Sequence, residues 1–313
     1  MDSHSSSSLD IKYICAINNP MTDQNYNTFP RIRTIHGINY LCNSDLSTCI
    51  PLLYDYVASP CEEVIVVAKG GFQDDCKEYV GGKYGLIDLK GKEILPLVYD
   101  YIFNANQGTV MLNRGGQGQP NGGYLCKGGK WGFCDLKGRV ITPCRYDNAD
   151  FFDGDYARVC VNRQWGFIDR SGKEVIPTVY RDLWNFSEGL ARFRNSKGLF
   201  GFIAKNGKEV IAGKYEDATD FLNKNACVCC NKKWGVIDTA GRLQTELKYD
   251  EIEQDKYDWM QVRIGNCYGY IDHQGHEKIP VKYHYLSHYI DDYAEAKIGD
   301  HYGLIDRQGI WKK

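Results

Sequence analysis

The sequence predicts an all-β protein assembled from tandem repeats of about 34 residues. Three observations carry that reading: a recurring aromatic-Gly pair, strict alternation just before it, and an Asp-x-x-Gly turn just after it. A period of this length also suits paired-helix repeats, so the pattern inside the period has to decide. No window carries an apolar stripe at helical spacing, and period two is the mark of a half-buried strand.

The elements follow in order within each period. The first strand alternates, as in Ala157-Arg158-Val159-Cys160-Val161 and Met260-Gln261-Val262-Arg263-Ile264. A polar turn follows (Asn162-Arg163, Gly265-Asn266), then a second strand such as Trp165 to Asp169. The aromatic-Gly pairs are Tyr84-Gly85, Trp131-Gly132, Trp165-Gly166, Phe200-Gly201, Trp234-Gly235, Tyr268-Gly269 and Tyr302-Gly303. From Gly132 onward successive glycines are 34, 35, 34, 34 and 34 residues apart, whereas Gly85 to Gly132 is 47. Asp at one position and Gly three later is what a type I turn prefers, and Asp88, Asp135, Asp169, Asp238, Asp272 and Asp306 stand there. They read as turn makers, because catalytic carboxylates come as one pair in differing environments. A third extended segment ends in Pro-x-x-Tyr, and its proline marks it as an edge strand.

Together the aromatic-Gly pair, Ile-Asp, x-x-Gly and Pro-x-x-Tyr resemble the bacterial WG β-repeat family. The resemblance covers Lys83 to about Gly309, and Ile38 to Val57 more weakly. Ala204 departs from the Asp, Ala212 and Glu246 from the Pro, and Tyr40 from the Gly. The resemblance implies an all-β repeat array in proteins of poorly defined role, and it brings no catalytic residues.

The expected architecture is an open twisted β-array of three-stranded antiparallel units. A seven- or eight-bladed propeller-like ring is the alternative. Eight hairpins alternate with seven Pro-x-x-Tyr segments, so residues 11–313 form one array behind a flexible segment, 1–10. Residues 11–18 are assigned to the first strand of the first hairpin. No basic n-region precedes an apolar run, and no stretch reaches the length of a membrane helix, so a cytoplasmic chain is expected. Many of the 13 Cys stand where other repeats carry Ile, Val or Ala, as Cys134 does for Ile168, which reads as free buried thiol in a reducing compartment. The alternation puts Cys227 and Cys229 outward and Cys230 inward.

Function is expected in the extra residues. Three early hairpins carry long tips between first and second strands: residues 18–37, 69–83 and 114–130. Insertions on one face of a repeat array mark a binding face, although surface loops also tolerate length. Candidate partner-binding residues are Phe72, Asp74, Asp75, Tyr79, Gln119, Asn121 and Tyr124 on the tips. Arg158, Arg192 and Arg194, which the alternation turns outward on adjacent repeats, complete the set. The 158–208 region is rich in Lys and Arg and residues 250–258 are acidic, a pattern that suits a protein partner.

The net charge of -2 gives no electrostatic case for nucleic acid. Five of the seven His lie between 273 and 301, without metal-ligand spacing, so neither metal nor other cofactor is expected. The reading is a non-catalytic scaffold or interaction protein that binds another protein. The alternative is a lectin-like array that binds carbohydrate or another small ligand through exposed Tyr54-Asp55, Tyr99-Asp100, Tyr146-Asp147 and Tyr249-Asp250 pairs; burial of the repeat tyrosines would remove it.

Overall fold

Each Pro-x-x-Tyr segment is followed at once by a short strand that the sequence pattern did not reveal. In the computed structural model, which describes residues 30–75, 79–118, 126–254 and 259–312, this strand leads the next sheet. The described residues form eight small antiparallel sheets of three or four strands. A complete sheet runs in chain order: lead strand, first hairpin strand, aromatic-Gly strand, Pro-x-x-Tyr strand. In the fourth sheet these are Asn148–Ala149, Tyr156–Val161, Gln164–Asp169 and Glu174–Tyr180. The predicted three-stranded unit is present with this fourth strand added. Two-residue lead strands such as Tyr101–Ile102 are too short to show periodicity.

The chain divides into two compact units. One ends at Cys144 and holds the first two sheets and all but the last two residues of the third; the other, Arg145–Lys313, holds the fourth to eighth.

The first hairpin differs from expectation. Arg31–Ile35 pairs with Ile38–Cys42 through a tight His36-Gly37 turn, both residues left-handed. A strand therefore occupies the end of the expected 18–37 tip. The rest of that tip, the 11–18 strand and the 1–10 segment lie outside the described residues. Cys42 and Cys49, opposite each other across the next strand pair, form a disulfide, so the expectation of free thiols does not hold for them.

The aromatic-Gly pair has a steric cause. Between aromatic-Gly and Pro-x-x-Tyr strands the register slips: Tyr268 faces Tyr283, but Tyr270 faces Ile279 and Ile271 faces Glu277. The proline strand bulges there, and its backbone passes over the glycine. A Cβ on Gly269 would sit 2.6 Å from the Ile279 carbonyl oxygen and 2.9 Å from the Pro280 carbonyl carbon. In the sixth sheet the proline strand is reduced to isolated bridges, Trp234–Tyr249 and Ile237–Leu243. There the Thr245 hydroxyl accepts the Val236 N–H at 3.0 Å in place of a regular ladder bond.

The turn aspartates act as read from sequence. One oxygen of Asp169 accepts from the Ser171 N–H and the Lys173 N–H, and Asn195 does the same work for Lys197 and Leu199. Hydrogen bonding from the Ser171 hydroxyl, ahead of opposing desolvation, holds the Asp169 carboxyl below its usual range.

In the second sheet both faces of the first hairpin strand are covered. Along Val64–Ala68 every residue is buried. Val64, Val66 and Ala68 enter one cluster with Leu86, Leu112 and Cys134, while Ile65 and Val67 enter another with Leu41, Leu52 and Ile87. Cys227 and Cys229 are accordingly buried and Cys230 is the partly exposed one, the reverse of the outward and inward assignment. Alternation sorts residues between two neighbouring sheets, not between core and water.

Candidate functional site

The hairpin turn is where the repeats differ most. In the fourth sheet it is Asn162-Arg163, both left-handed (φ 52° and 63°), and Oδ2 of Asp147 accepts the Asn162 N–H at 2.7 Å. Asp250 holds Gly265 likewise at 2.6 Å, and Nδ1 of His284 accepts from Gly299 at 3.1 Å. The aspartates of the Tyr-Asp pairs thus cap hairpins.

Two insertions in the first unit enter between the two residues of this turn. Lys69 faces Lys83 as Val161 faces Gln164, so Gly70 and Gly82 stand where Asn162 and Arg163 stand. Both keep the left-handed backbone (φ 86° and 73°), and Asp55 still holds the Gly70 N–H, at 2.7 Å. Gly115 and Gly129 repeat this in the third sheet, with Asp100 on Gly115 at 2.6 Å. A Cβ on Gly82 would lie 2.5 Å from the Lys69 carbonyl oxygen, so glycine is needed at this branch.

The inserted segments are β-arms. Gly71, Phe72 and Gln73 pair with Gly81, Val80 and Tyr79, and Gly116, Gln117 and Gly118 pair with Gly128, Lys127 and Cys126. The arms lie side by side, as expected from the shared insertion point. A Cβ on Gly118 would meet the Gly81 nitrogen at 2.8 Å and a Val80 methyl at 2.9 Å.

An aromatic chain joins the two arm bases. Tyr79 stacks on Tyr56 at 5.2 Å, and contacts of 5.0–6.2 Å run on through Tyr84, Tyr101 and Phe103 to Trp131. The Tyr79 hydroxyl accepts the Gly71 N–H at 2.6 Å, and the Tyr84 hydroxyl donates to the Tyr79 carbonyl at 3.1 Å. Burial raises the Tyr79 hydroxyl above its usual range, so it stays protonated.

The candidate residues separate by this geometry. Phe72 is 59% exposed, Asp75 is exposed, and Asp74 is half-buried; Tyr79 is half-buried at the base. Gln119, Asn121 and Tyr124 lie outside the described residues. The three arginines do not stand free on an outer face. Arg158 donates to Asp150 at 2.6 Å and to the Leu183 carbonyl of the next sheet, with its guanidinium 4.9 Å from the Trp165 ring centroid. Arg192, opposite Phe202 as Arg158 is opposite Phe167, donates to the Ala218 carbonyl and pairs with Asp220 at 3.1 Å. Gln261 takes the same position and donates to the Leu286 carbonyl at 2.7 Å. This position staples successive sheets of the second unit. Arg194 pairs with Asp182 at 2.6 Å.

Tyr99, Tyr146, Tyr215, Tyr249 and Tyr283 are buried. Tyr54 is half-buried. The exposed ladder that a lectin-like reading requires is therefore absent from these repeats, and Asp55, Asp100, Asp147 and Asp250 face the turns. Among the described residues no group of three or more His, Cys, Asp or Glu is arranged to hold a metal ion. His276 pairs with Asp272 at 3.1 Å, and His301 packs edge-on against Trp311 at 4.2 Å.

Repeated antiparallel sheets, turn carboxylates and buried repeat tyrosines define an all-β tandem-repeat protein. The chain belongs to the family of the WG containing repeat, whose profile matches residues 84–115, 131–164, 165–197, 200–234, 234–266 and 268–301. No curated protein matches the sequence. Among solved structures, the chain is similar to a computationally designed protein, Ika8, at 11% identity and a TM-score of 0.32, covering 92% of this chain and 97% of that one. It is also similar to BamB from Moraxella catarrhalis, at 11% identity and a TM-score of 0.29, over 87% and 74% of the two chains.

Proposed function

We propose that this chain is a non-catalytic interaction protein that binds another protein through the two β-arms of its first unit. The repeat family suggests a binding or scaffold role in general terms. The observation that carries the finer reading is that both insertions continue as paired ladders in mutual contact, with Phe72 exposed on one of them. Loops retained only because length is cheap would not need the four glycines, the Asp caps and the Tyr79 hydroxyl that hold these arms at their bases. Phe72 is the apolar anchor, and Asp74 and Asp75 beside it supply charge.

A non-catalytic role is supported by where the reactive side chains are spent. The recurring aspartates make turns, the repeat tyrosines are core, and nine free cysteines of the described residues are buried or half-buried. Those free thiols suit a reducing compartment such as the cytoplasm, with the Cys42–Cys49 pair as the exception.

The test removes residues 71–81 and 116–128, which leaves Gly70-Gly82 and Gly115-Gly129 as ordinary two-residue turns. Affinity purification from the native host with the full chain, the trimmed chain and Phe72→Ser reads the outcome. Proteins retained by the full chain are expected to be lost from the trimmed chain and reduced with Phe72→Ser. Recovery of the same proteins in equal amounts by the trimmed chain would sink the proposal.

A further inference from the structure

The second unit has a different feature at the turn end of its sheets. An open cleft of about 730 Å³ lies between the fourth and fifth sheets, with Arg163, Arg181, Arg194, Trp165, Asp147 and Asp182 among its lining residues. Arg181 immediately follows the repeat tyrosine. In other repeats that place holds the turn-capping group: Asp55, Asp100, Asp147, Asp250 or His284. A guanidinium has only donors and cannot accept a turn N–H. The fifth hairpin is closed instead from within its own turn, where Asn195 accepts from Lys197 and Leu199 at 3.0 Å and donates to the Gly213 carbonyl. Arg181 is thereby released from the structural work of its position.

The charges in the cleft divide into spent and unspent. Asp182 is paired with Arg194, and Asp147 accepts the Asn162 N–H. Arg163, the second residue of the fourth turn, and Arg181 are both exposed, and among the described residues neither side chain has an ion pair or hydrogen bond. Two uncommitted guanidinium groups thus share one cleft with a half-buried indole. Guanidinium groups take carboxylates in bidentate fashion, and Trp is an effective apolar anchor.

We propose that this cleft binds an extended acidic segment of a protein partner, with its carboxylates on Arg163 and Arg181 and an apolar side chain against Trp165. Asp147 and Asp182 argue for spaced carboxylates over nucleic acid. A polyphosphate backbone would lay continuous negative charge beside both, whereas a peptide places its carboxylates only where the arginines are. The cleft's openness suits a chain crossing it more than a small molecule enclosed by it. This site shares no residue with the arms and is tested separately.

The probe is a fluorescein-labelled peptide of alternating Glu and Ala, followed by anisotropy at low ionic strength. Its Gln-Ala counterpart and a labelled oligothymidylate are run beside it. Binding of the Glu peptide is expected, with affinity lower by about tenfold or more for the Gln peptide and for Arg163→Gln/Arg181→Gln, the scale of losing charge-assisted bidentate bonds. Arg181→Asp, which restores a carboxylate at the capping place, is expected to abolish binding. Because both arginines are exposed and unpaired, the variants should melt as the parent does, and the arm-trimmed chain should keep peptide binding. Equal affinity for the Gln peptide, an unchanged double variant, or tighter binding of the oligothymidylate than of the Glu peptide would each overturn the proposal.

Discussion

Replacing Gly269 by alanine tests the account of the aromatic-Gly pair. The new Cβ would be 2.6 Å from the Ile279 carbonyl oxygen and 2.9 Å from Val281 Cα, all backbone atoms of the bulged strand that cannot swing aside like a side chain. Overpacking of this kind costs about 1–3 kcal/mol, while alanine's smaller unfolded-state entropy returns about 0.4–1 kcal/mol. With mid-range values the net loss is about 1–2 kcal/mol, a drop in Tm of about 2–8 °C for a unit of this size. Gly303 provides the matched control. It holds the same place in the eighth sheet, but no proline strand covers it, and the nearest neighbours of an added Cβ are Trp311 ring atoms at 3.6 Å. Gly303→Ala should therefore leave Tm unchanged or raise it slightly. Thermal melting followed by far-UV circular dichroism, with urea titration in parallel, reads both variants. Equal destabilisation of the two, or none in Gly269→Ala, would refute the close-approach argument.

Asp169→Asn should widen and close its stability gap with pH. The native carboxyl is held below its usual range, so its contribution is full above about pH 4, where the unfolded carboxylate is ionised, and fades as pH falls through the lower native value. Melting curves from about pH 7 down to about pH 3 check this, and a constant gap contradicts it. Gln261→Leu removes the donor to the Leu286 carbonyl and should cost about 1–3 kcal/mol in urea titrations. Cys227→Val, at the equivalent position opposite Val236, should cost less than about 1.5 kcal/mol, because the only hydrogen bond its side chain makes to the next sheet, among the described residues, is a weak thiol contact with Met260 Sδ at 3.8 Å. Burial pushes the Cys134 and Cys227 thiols up to about 12, so iodoacetamide near neutral pH should label them only after denaturant is added. Mass spectrometry showing rapid labelling in the native protein would contradict that burial.

The sequence made the repeat legible because its constraints are local. A turn needs its Asp and Gly, and a bulge passing over a strand needs a glycine beneath it. Both demands recur at fixed spacing, so counting along the chain finds them. What stays hidden depends on neighbours. The lead strands, such as Asn148–Ala149, are set by pairing with a strand ten or so residues on and carry no period of their own. Arg158 and Arg192 look solvent-facing by alternation, yet the side that alternation leaves polar faces another sheet, where one donor meets one backbone carbonyl. The two arms were visible as extra length at a shared place, and their glycine pairs were in plain view. That those glycines occupy the two halves of an interrupted turn emerges only from the register. Arg181 is legible in the sequence as a cation in a column of turn-capping acceptors.

The interrupted turn makes the hairpin end a splice point. Because Gly70 and Gly82 keep the backbone angles of an uninterrupted pair, the sheet beneath does not register whether two residues or thirteen separate Lys69 from Lys83. Any hairpin entering and leaving through left-handed glycines can be exchanged there without redesigning the core. The same exchange is open at Asn162-Arg163 and at Asn231-Lys232, whose residues are already left-handed. Binding specificity can therefore change by graft while stability is inherited, and new arms could be installed on repeats that carry none.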